Sequence, residues 1–497
     1  MNLSSLSAPF VLTLDVGSSS VRTLVFDREG NKVPGLGQSI PYQVRTTPEG
    51  GAELDAGILF EQTLTCLENT LPQLTELAGE MAGVGVTTFW HSLVGVDGQG
   101  QAVTPVYMWS DLRARAEAEE LRQVLPEREI HRRTGCVLHA SYLPAKLLWL
   151  QRNHPALYDR AAWWMSWGEY LFLRLFRRRI CSLSMASGSG LLDQRTMTWD
   201  EELLRTLQLD PSQLSSLVDF HDSCTGIEER YARRLGFLSR LPWFPPVGDG
   251  ACSNIGSGCT SPQRIALMVG TSGAMRILFS GGQGEPPWGL WYYRVDRQRY
   301  LLGGALSNGG NLYAWLTRTL QLPGPDETEE ALLARRPAGH RLTVLPFLAG
   351  ERNPGWALDA RGVIDGLRLH TRPLDILQAC LEAVAYRFAL IHRLLQPVAP
   401  QAGQIVASGG FLHSRAWVQI MADVLGKPVI ASAEPEASSR GVALLVLETL
   451  GLLSNITDAP VRLGQTCTPR PGYHQAHQEA LERHTQLYQQ LIHRSYL

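Results

Sequence analysis

The chain has 497 residues, with 45 Lys and Arg against 47 Asp and Glu and a net charge of −2. That length exceeds one ordinary core, so two domains are expected, 1–245 and 246–497. Nearly balanced charge without a long block of one sign gives no global attraction to nucleic acid or to an anionic membrane, and the cluster Arg177–Arg179 reads as solvated surface.

The first ten residues lack a basic region followed by an apolar segment, and no uncharged run is long enough to cross a bilayer. A cytoplasmic protein with no membrane partner is therefore expected. Eight cysteines, none in a C-x-x-C pair, argue against a zinc site or a disulfide framework.

The first element in chain order is LTLDVGSSSVRTLVFD, Leu12–Asp27, which reads as a strand ending near Asp15, a serine turn and a second strand. REGN at Arg28–Asn31 and VDGQGQ at Val96–Gln101 read as further hairpin turns. DAGILFEQTLTCLENTL reads as a helix with Asp55 as N-cap, and SDLRARAEAEELRQVL, from Ser110, as a second helix. The aromatics of AAWWMSW and PPWGLWYY suit a core better than an interface. The proline-rich LPWFPPVGDG, Leu241–Gly250, is the expected crossing between halves, with Asp249 between two glycines.

VGTSGAMRILF, Val269–Phe279, then repeats VGSSSVRTLVF from Val16 without a gap, so that Gly17 falls on Gly270, Ser19 on Ser272 and Phe26 on Phe279. A displacement near half the chain length implies two copies of one supersecondary unit. Asp15 falls on Met268, so a single carboxylate stands beside the paired turns. Such turns gather N–H and hydroxyl donors for phosphate oxygens, and one carboxylate beside them suits a hydrated Mg2+. Further glycine turns follow at Gly303–Trp315, including Gly309 and Gly310, and in VASGGFLHS, Val406–Ser414, ahead of a helical stretch from Arg415. None makes a P-loop or a dinucleotide fingerprint, and GTSGA fails as a nucleophile elbow at Ala274. Pro373–Leu395 has helical spacing, and a C-terminal helix should place Leu481, His484, Tyr488, Leu491 and Ile492 on one packing face, after a solvated pair His474 and His477. Strands alternating with helices in two related halves indicate an α/β architecture.

These segments, with DVGSSSVR, VYMWSDLR, TGCVLHASYLPAKLLWL, SMASGSGLLD, VGDGACSNIGSG, LPFLAGERNPGW and EASSRGVA in order, resemble the FGGY family of carbohydrate kinases and, within it, the gluconokinase branch. The resemblance implies two ribonuclease-H-like domains of the actin and hexokinase type with an interdomain cleft. It also implies ATP and Mg2+ as cofactors and a sugar or sugar acid, gluconate first, as substrate. By the same carry-over Asp249 would be the catalytic base. Asp15 would lie near the metal, and Ser18, Ser19, Ser20, Arg22, Gly270, Thr271 and Ser272 near the phosphates. Gly309, Gly310, Gly409, Gly410 and Ser414 would bind the nucleotide, and Trp90, His91, Asp111 and His139 the substrate. A carboxylate on the substrate needs a cation or strong donors, for which His91, His139, Lys146 and Arg352 are candidates, although Lys146 also suits a snorkelling role and Arg352 a pair with Glu351. Phe89, Trp90 and Ser110 depart from the family pattern, which leaves xylulose, ribulose, a pentitol or glycerol as alternative acceptors. A non-catalytic nucleotide-binding regulator is a further reading, and a homodimer is compatible with the sequence.

Overall fold

A computed structural model describes residues 7–281 and 284–492. The first half is built on a five-stranded sheet of β1 (Phe10–Val16), β2 (Ser20–Phe26), β3 (Lys32–Pro41), β4 (Met81–Thr88) and β5 (Trp243–Gly248), in the order β5-β4-β1-β2-β3. β1, β2 and β3 pair antiparallel, whereas β4 and β5 add in parallel.

The second half repeats this arrangement within a seven-stranded sheet. Its strands are β6 (Arg264–Val269), β7 (Gly273–Ser280), β8 (Trp291–Arg294), β9 (Arg299–Leu306), β10 (Gln404–Ser408), β11 (Val429–Ser432) and β12 (Leu463–Cys467). The central run β9-β7-β6-β10-β11 has the same order and strand senses as the first sheet, with β8 and β12 added at the edges. The internal repeat is thus a repeat of topology.

The two hairpins differ in one respect that the ungapped match hides. In the first, Val16 faces Val21 and the Gly17 N–H donates to the Ser20 carbonyl. In the second, Val269 faces Gly273 and the Gly270 N–H donates to Ser272, so the turn is one residue shorter. A one-residue slip exchanges the two faces of a strand. By pairing and packing, Phe26 therefore corresponds to Leu278, which shares its core cluster, and not to Phe279, which lies in the core of the second half.

Helices among the described residues include α1 (Ala56–Thr70), α2 (Leu143–Asn153), α3 (Trp167–Phe176), α4 (Asp249–Gly256), α5 (Gly310–Thr319), α6 (Pro373–Leu395), α7 (Arg415–Leu425), α8 (Ala437–Thr449) and α9 (Tyr473–Ile492). Asp55 caps α1 by accepting the Ile58 N–H at 2.8 Å. The segment from Ser110 becomes helical only at Arg115, because the Asp111 carboxylate is bonded to Arg113 and to the Ala52 N–H. β1 alternates faces: Leu12, Leu14 and Val16 pack with α1, while Val11 packs toward the Val442–Leu447 stretch of α8. α8 follows β11 of the second sheet in the chain, yet it covers the first, and α4 crosses it. Side chains at Gly256 and Gly441 would collide with the Ala437 and Cys252 carbonyls, so these glycines set the close approach of the two helices.

The proline-rich stretch is not the crossing between halves. Trp243–Gly248 is an edge strand of the first sheet, and the register irregularity between Phe244 and Val247 spans Pro245 and Pro246, which cannot donate to a ladder. The chain leaves the first sheet through α4 and enters the second at Arg264. Trp164, Trp167, Trp291, Tyr292 and Tyr293 are core residues. On α9, Leu481, His484 and Tyr488 are buried, whereas Leu491 is exposed. His477 is not solvated either: it is buried against the Tyr386 hydroxyl at 3.1 Å, and His474 bonds the Asp423 carbonyl. No helix among the described residues is long and apolar enough to cross a membrane.

Candidate functional site

β1 delivers Asp15 to its α8 face, only 4% exposed, with the Ser439 hydroxyl donating at 3.4 Å. Burial pushes this carboxyl up to about 7; Asp249 and Glu436 add to the rise, and Arg22 and Ser439 oppose it. Arg22 is the cross-strand partner of Asp15 and donates to Glu436 at 3.1 Å. Beyond Asp15 the turn exposes Ser18 and Ser19, while Ser20 begins β2 and the Tyr42 hydroxyl donates to the Gly17 carbonyl.

The opposing turn is fixed by the start of α5. Gly310 N–H donates to the Gly270 carbonyl at 2.7 Å and Asn311 N–H to Thr271 at 3.0 Å. A side chain at Gly310 would press on that Gly270 carbonyl, and one at Gly309 on the carbonyl of Ser272. Gly309 and Gly310 therefore seat the helix against the turn, leaving Thr271 exposed. Ser18 from the first turn shares the lining of two cavities with Met268 and Ser272 from the second, so the turns face each other across the cleft.

One of these cavities, of about 200 Å³, is lined by Trp90, His91, Asp249, Arg276, Tyr293 and Arg352, among others. Asp249 opens α4, half-buried, with the Gly250 N–H donating to its Oδ1 at 2.7 Å. Burial raises its pKa and Arg276 counteracts the rise. The Trp90 indole donates to the Ser184 carbonyl at 3.1 Å and lies where side chains at Gly188, Gly248 or Gly250 would sit, so three glycines form its cradle. His91 has φ +59°, an uncommon conformation for a bulky residue and one found at functional sites. Burial, with Arg352, holds its pKa down to about 3, so the ring is neutral. Nδ1 faces the Gly188 carbonyl and must carry the proton, which leaves Nε2, 3.4 Å from the Tyr293 hydroxyl, as an acceptor.

His139 lines the second cavity, of about 480 Å³, with Arg352 and the two turns. Its Nδ1 accepts from the Ser141 N–H at 3.0 Å, so the neutral ring presents Nε2–H as a donor, and that atom is buried without a partner. A third cavity, of about 410 Å³, is lined by Asp15, Arg22, Gly409, Glu434 and Glu436. Gly409 has φ +97° and its missing side chain would strike the Val269 backbone.

Other expected site residues lie elsewhere. Gly410 and Ser414 are outside the lining of these cavities; the Ser414 hydroxyl caps α7 by accepting the Trp417 N–H at 3.1 Å and donates to Glu329. Asp111 is buried in an ion-pair network with Arg113, which also binds Glu53, and so is committed to holding its own loop. Lys146 does not snorkel and is outside the lining of these cavities: it is buried and donates to the Ala140 and Ser141 carbonyls, both at 2.7 Å. Glu351 pairs with Arg387 and Tyr488, not with its neighbour Arg352. Trp109, from the WSDLR motif, and Tyr293, read in the sequence as a core aromatic, line the first cavity, and so does Arg276, which the sequence reading did not single out. Arg276 carried a signal, as a lone charge within the apolar run AMRILF.

Twin sheets of one topology, joined through α4 and α8 with facing donor turns at the cleft, define a pair of ribonuclease-H-like domains of the actin and hexokinase type. Residues 10–256 match the N-terminal domain of the FGGY family of carbohydrate kinases and residues 266–447 match its C-terminal domain. The chain belongs to this family and is a carbohydrate kinase. It is 26% identical to a gluconokinase of Bacillus subtilis over 476 residues, 93% of this chain and 92% of that one. A xylulose kinase of Staphylococcus xylosus is 28% identical over 443 residues, 88% and 90% of the two chains. A crystal structure of gluconate kinase from Lactobacillus acidophilus superposes with a TM-score of 0.90 at 26% identity, covering 98% of this chain and 99% of that one.

Proposed function

We propose that this kinase transfers the terminal phosphoryl group of ATP, with Mg2+, to D-gluconate, giving 6-phosphogluconate. The observation that carries the sugar-acid reading is Arg352. It lines both cleft cavities, has no carboxylate partner among the described residues, and its Nε is buried without a hydrogen bond. Its guanidinium rests near the faces of Trp109, at 5.5 Å, and Trp356, at 5.9 Å. A half-buried guanidinium in a cleft, with its Nε unsatisfied, suits an anionic ligand, and a carboxylate matches its paired donors.

In this reading Asp249 accepts the proton of the attacking hydroxyl as the oxygen bonds to phosphorus and ADP departs. Ser18, Ser19, Ser20, Thr271 and Ser272 cradle the phosphates, the Gly270 N–H closing the second turn on Ser272, and Arg22 adds charge beside them. Asp15 would hold a hydrated Mg2+, which supplies neutralisation of phosphate charge. Asp15 offers one carboxylate at the cleft, with Asp249 and Glu436 adding negative charge around it, which suits an ion that keeps most of its waters. His91 Nε2 and His139 Nε2–H offer an acceptor and a donor to acceptor hydroxyls, and Trp90 supplies a flat wall.

Arg352→Gln tests the reading. Loss of a charge-assisted bond of about 1.5–3 kcal/mol raises KM for gluconate roughly 10- to 150-fold, with little change in KM for ATP. An unchanged KM for gluconate in steady-state assays would remove the carboxylate role of Arg352.

A further inference from the structure

The alternation of β7 sends Met275, Ile277 and Phe279 into the core of the second half and Leu278 toward the first. Arg276 shares the parity of Leu278, so a guanidinium stands on the face that packs against the other half, only 6% exposed. The pairing registers equate Arg276, opposite Ala266, with Leu24, opposite Thr13. The first half thus has a leucine where the second has an arginine, an asymmetry complementary to that of Asp15 and Met268. Gly303, directly opposite on β9, leaves room for the arginine stem, since a side chain there would press on Arg276.

Burying a guanidinium among apolar neighbours is costly, and none of the ion pairs among the described residues repays it. Arg276 donates from Nη1 to the Gly250 carbonyl at 2.8 Å. Its Cζ lies 3.5 Å from where a Gly250 side chain would begin, one residue from Asp249. The guanidinium of one half thus grips the turn that carries the candidate base of the other, inside the same cavity.

We propose that Arg276 is a positioning residue for Asp249, holding the turn by the Gly250 carbonyl and setting a positive charge beside the carboxylate in the shared cleft. The inference rests on Asp249 being the base. Asp249 is also faced by Asp15 from β1, Tyr42 after β3 and Cys252 within α4. Asp15, when ionised, favours protonation of Asp249, and the positive charge of Arg276 opposes it. Arg352 adds positive charge around Arg276 itself.

The test is the pH profile of kcat/KM for the acceptor in Arg276→Gln, measured with the full chain, ATP and Mg2+. Removing a neighbouring positive charge is expected to move the acid limb upward by ~1–3 pH units. The deficit should be largest on the acid side and shrink as pH rises, in kcat more than in KM for the acceptor. Arg276→Lys, which keeps the charge, should return the limb toward its original position, and Arg276→Leu, the residue type of the first half, gives the same readout if the Gln variant does not fold. An unmoved acid limb, or a rise confined to KM for the acceptor, would overturn the proposal. Asp249→Asn separates the two readings: if it retains turnover, the base assignment fails, whereas an inactive Asp249→Asn beside an unmoved limb in Arg276→Gln refutes the role of Arg276 alone.

Discussion

Asp249→Asn should lower kcat by about 10²–10⁴ while leaving ATP binding by calorimetry within a fewfold of the unaltered protein. The amide keeps the size of the carboxyl and can still accept the Gly250 N–H bond, 2.7 Å in the structure. What it loses is the ability to take a proton and the charge that faces Arg276. The Trp90 cradle of Gly188, Gly248 and Gly250 is untouched, so the acceptor cavity retains its shape. A variant with intact turnover would show that the proton leaves by another route.

The second large effect concerns Asp15 and separates stability from activity. Its carboxyl, ordinarily near 3.8, is raised to about 7 in the ligand-free fold, chiefly by burial. The unfolded chain therefore loses this proton first as pH rises. Stability from this group is intact below pH 4, declines between pH 4 and 7, and is lower by up to about 4 kcal/mol above that range. Asp15→Asn removes the penalty. In EDTA at pH 8 the variant should melt above the unaltered protein, and the two curves should approach each other near pH 4. Turnover should nevertheless fall sharply, because the same carboxylate is the proposed seat of the magnesium ion. Equal melting temperatures at pH 8 would mean that Asp15 is not strained by its surroundings.

Much of this site was legible because the chain states it twice. Gly17, Ser18 and Ser19 align with Gly270, Thr271 and Ser272, and the facing turns at the cleft follow from that match. Asp249, Trp90 and His91 were marked by the family resemblance and not by their local sequence, and the structure brings the three to one cavity. The ungapped alignment failed beyond the turn, where one hairpin is a residue shorter, and strand parity cannot be read through an unseen slip. Arg276 was missed for that reason: its inward direction becomes visible only once Ala266 is known to be its partner.

Other differences arise from polar groups with more than one use. Asp111 reads as a pocket acid until Arg113 and the Ala52 N–H are seen to occupy it. Ser414 reads as a nucleotide contact, but a serine just ahead of a helix is equally an N-cap, and that is where its hydroxyl is spent. The paired prolines at Pro245 and Pro246 suggested a linker, yet an edge strand tolerates them because its outer N–H groups need no ladder partner. Lys146 was open between an anion hook and a snorkelling surface residue, and two buried carbonyls claim it instead.

We propose that this carbohydrate kinase acts on a sugar acid through Arg352, a cleft arginine paired with no carboxylate among the described residues. This is tested most directly by ADP release with ATP and Mg2+ over gluconate, xylulose, ribulose, a pentitol and glycerol. Gluconate is expected to be turned over with kcat/KM roughly 10- to 100-fold or more above the neutral acceptors, the range set by one or two charge-assisted bonds. No turnover of gluconate beside efficient turnover of a neutral sugar or polyol would contradict the account.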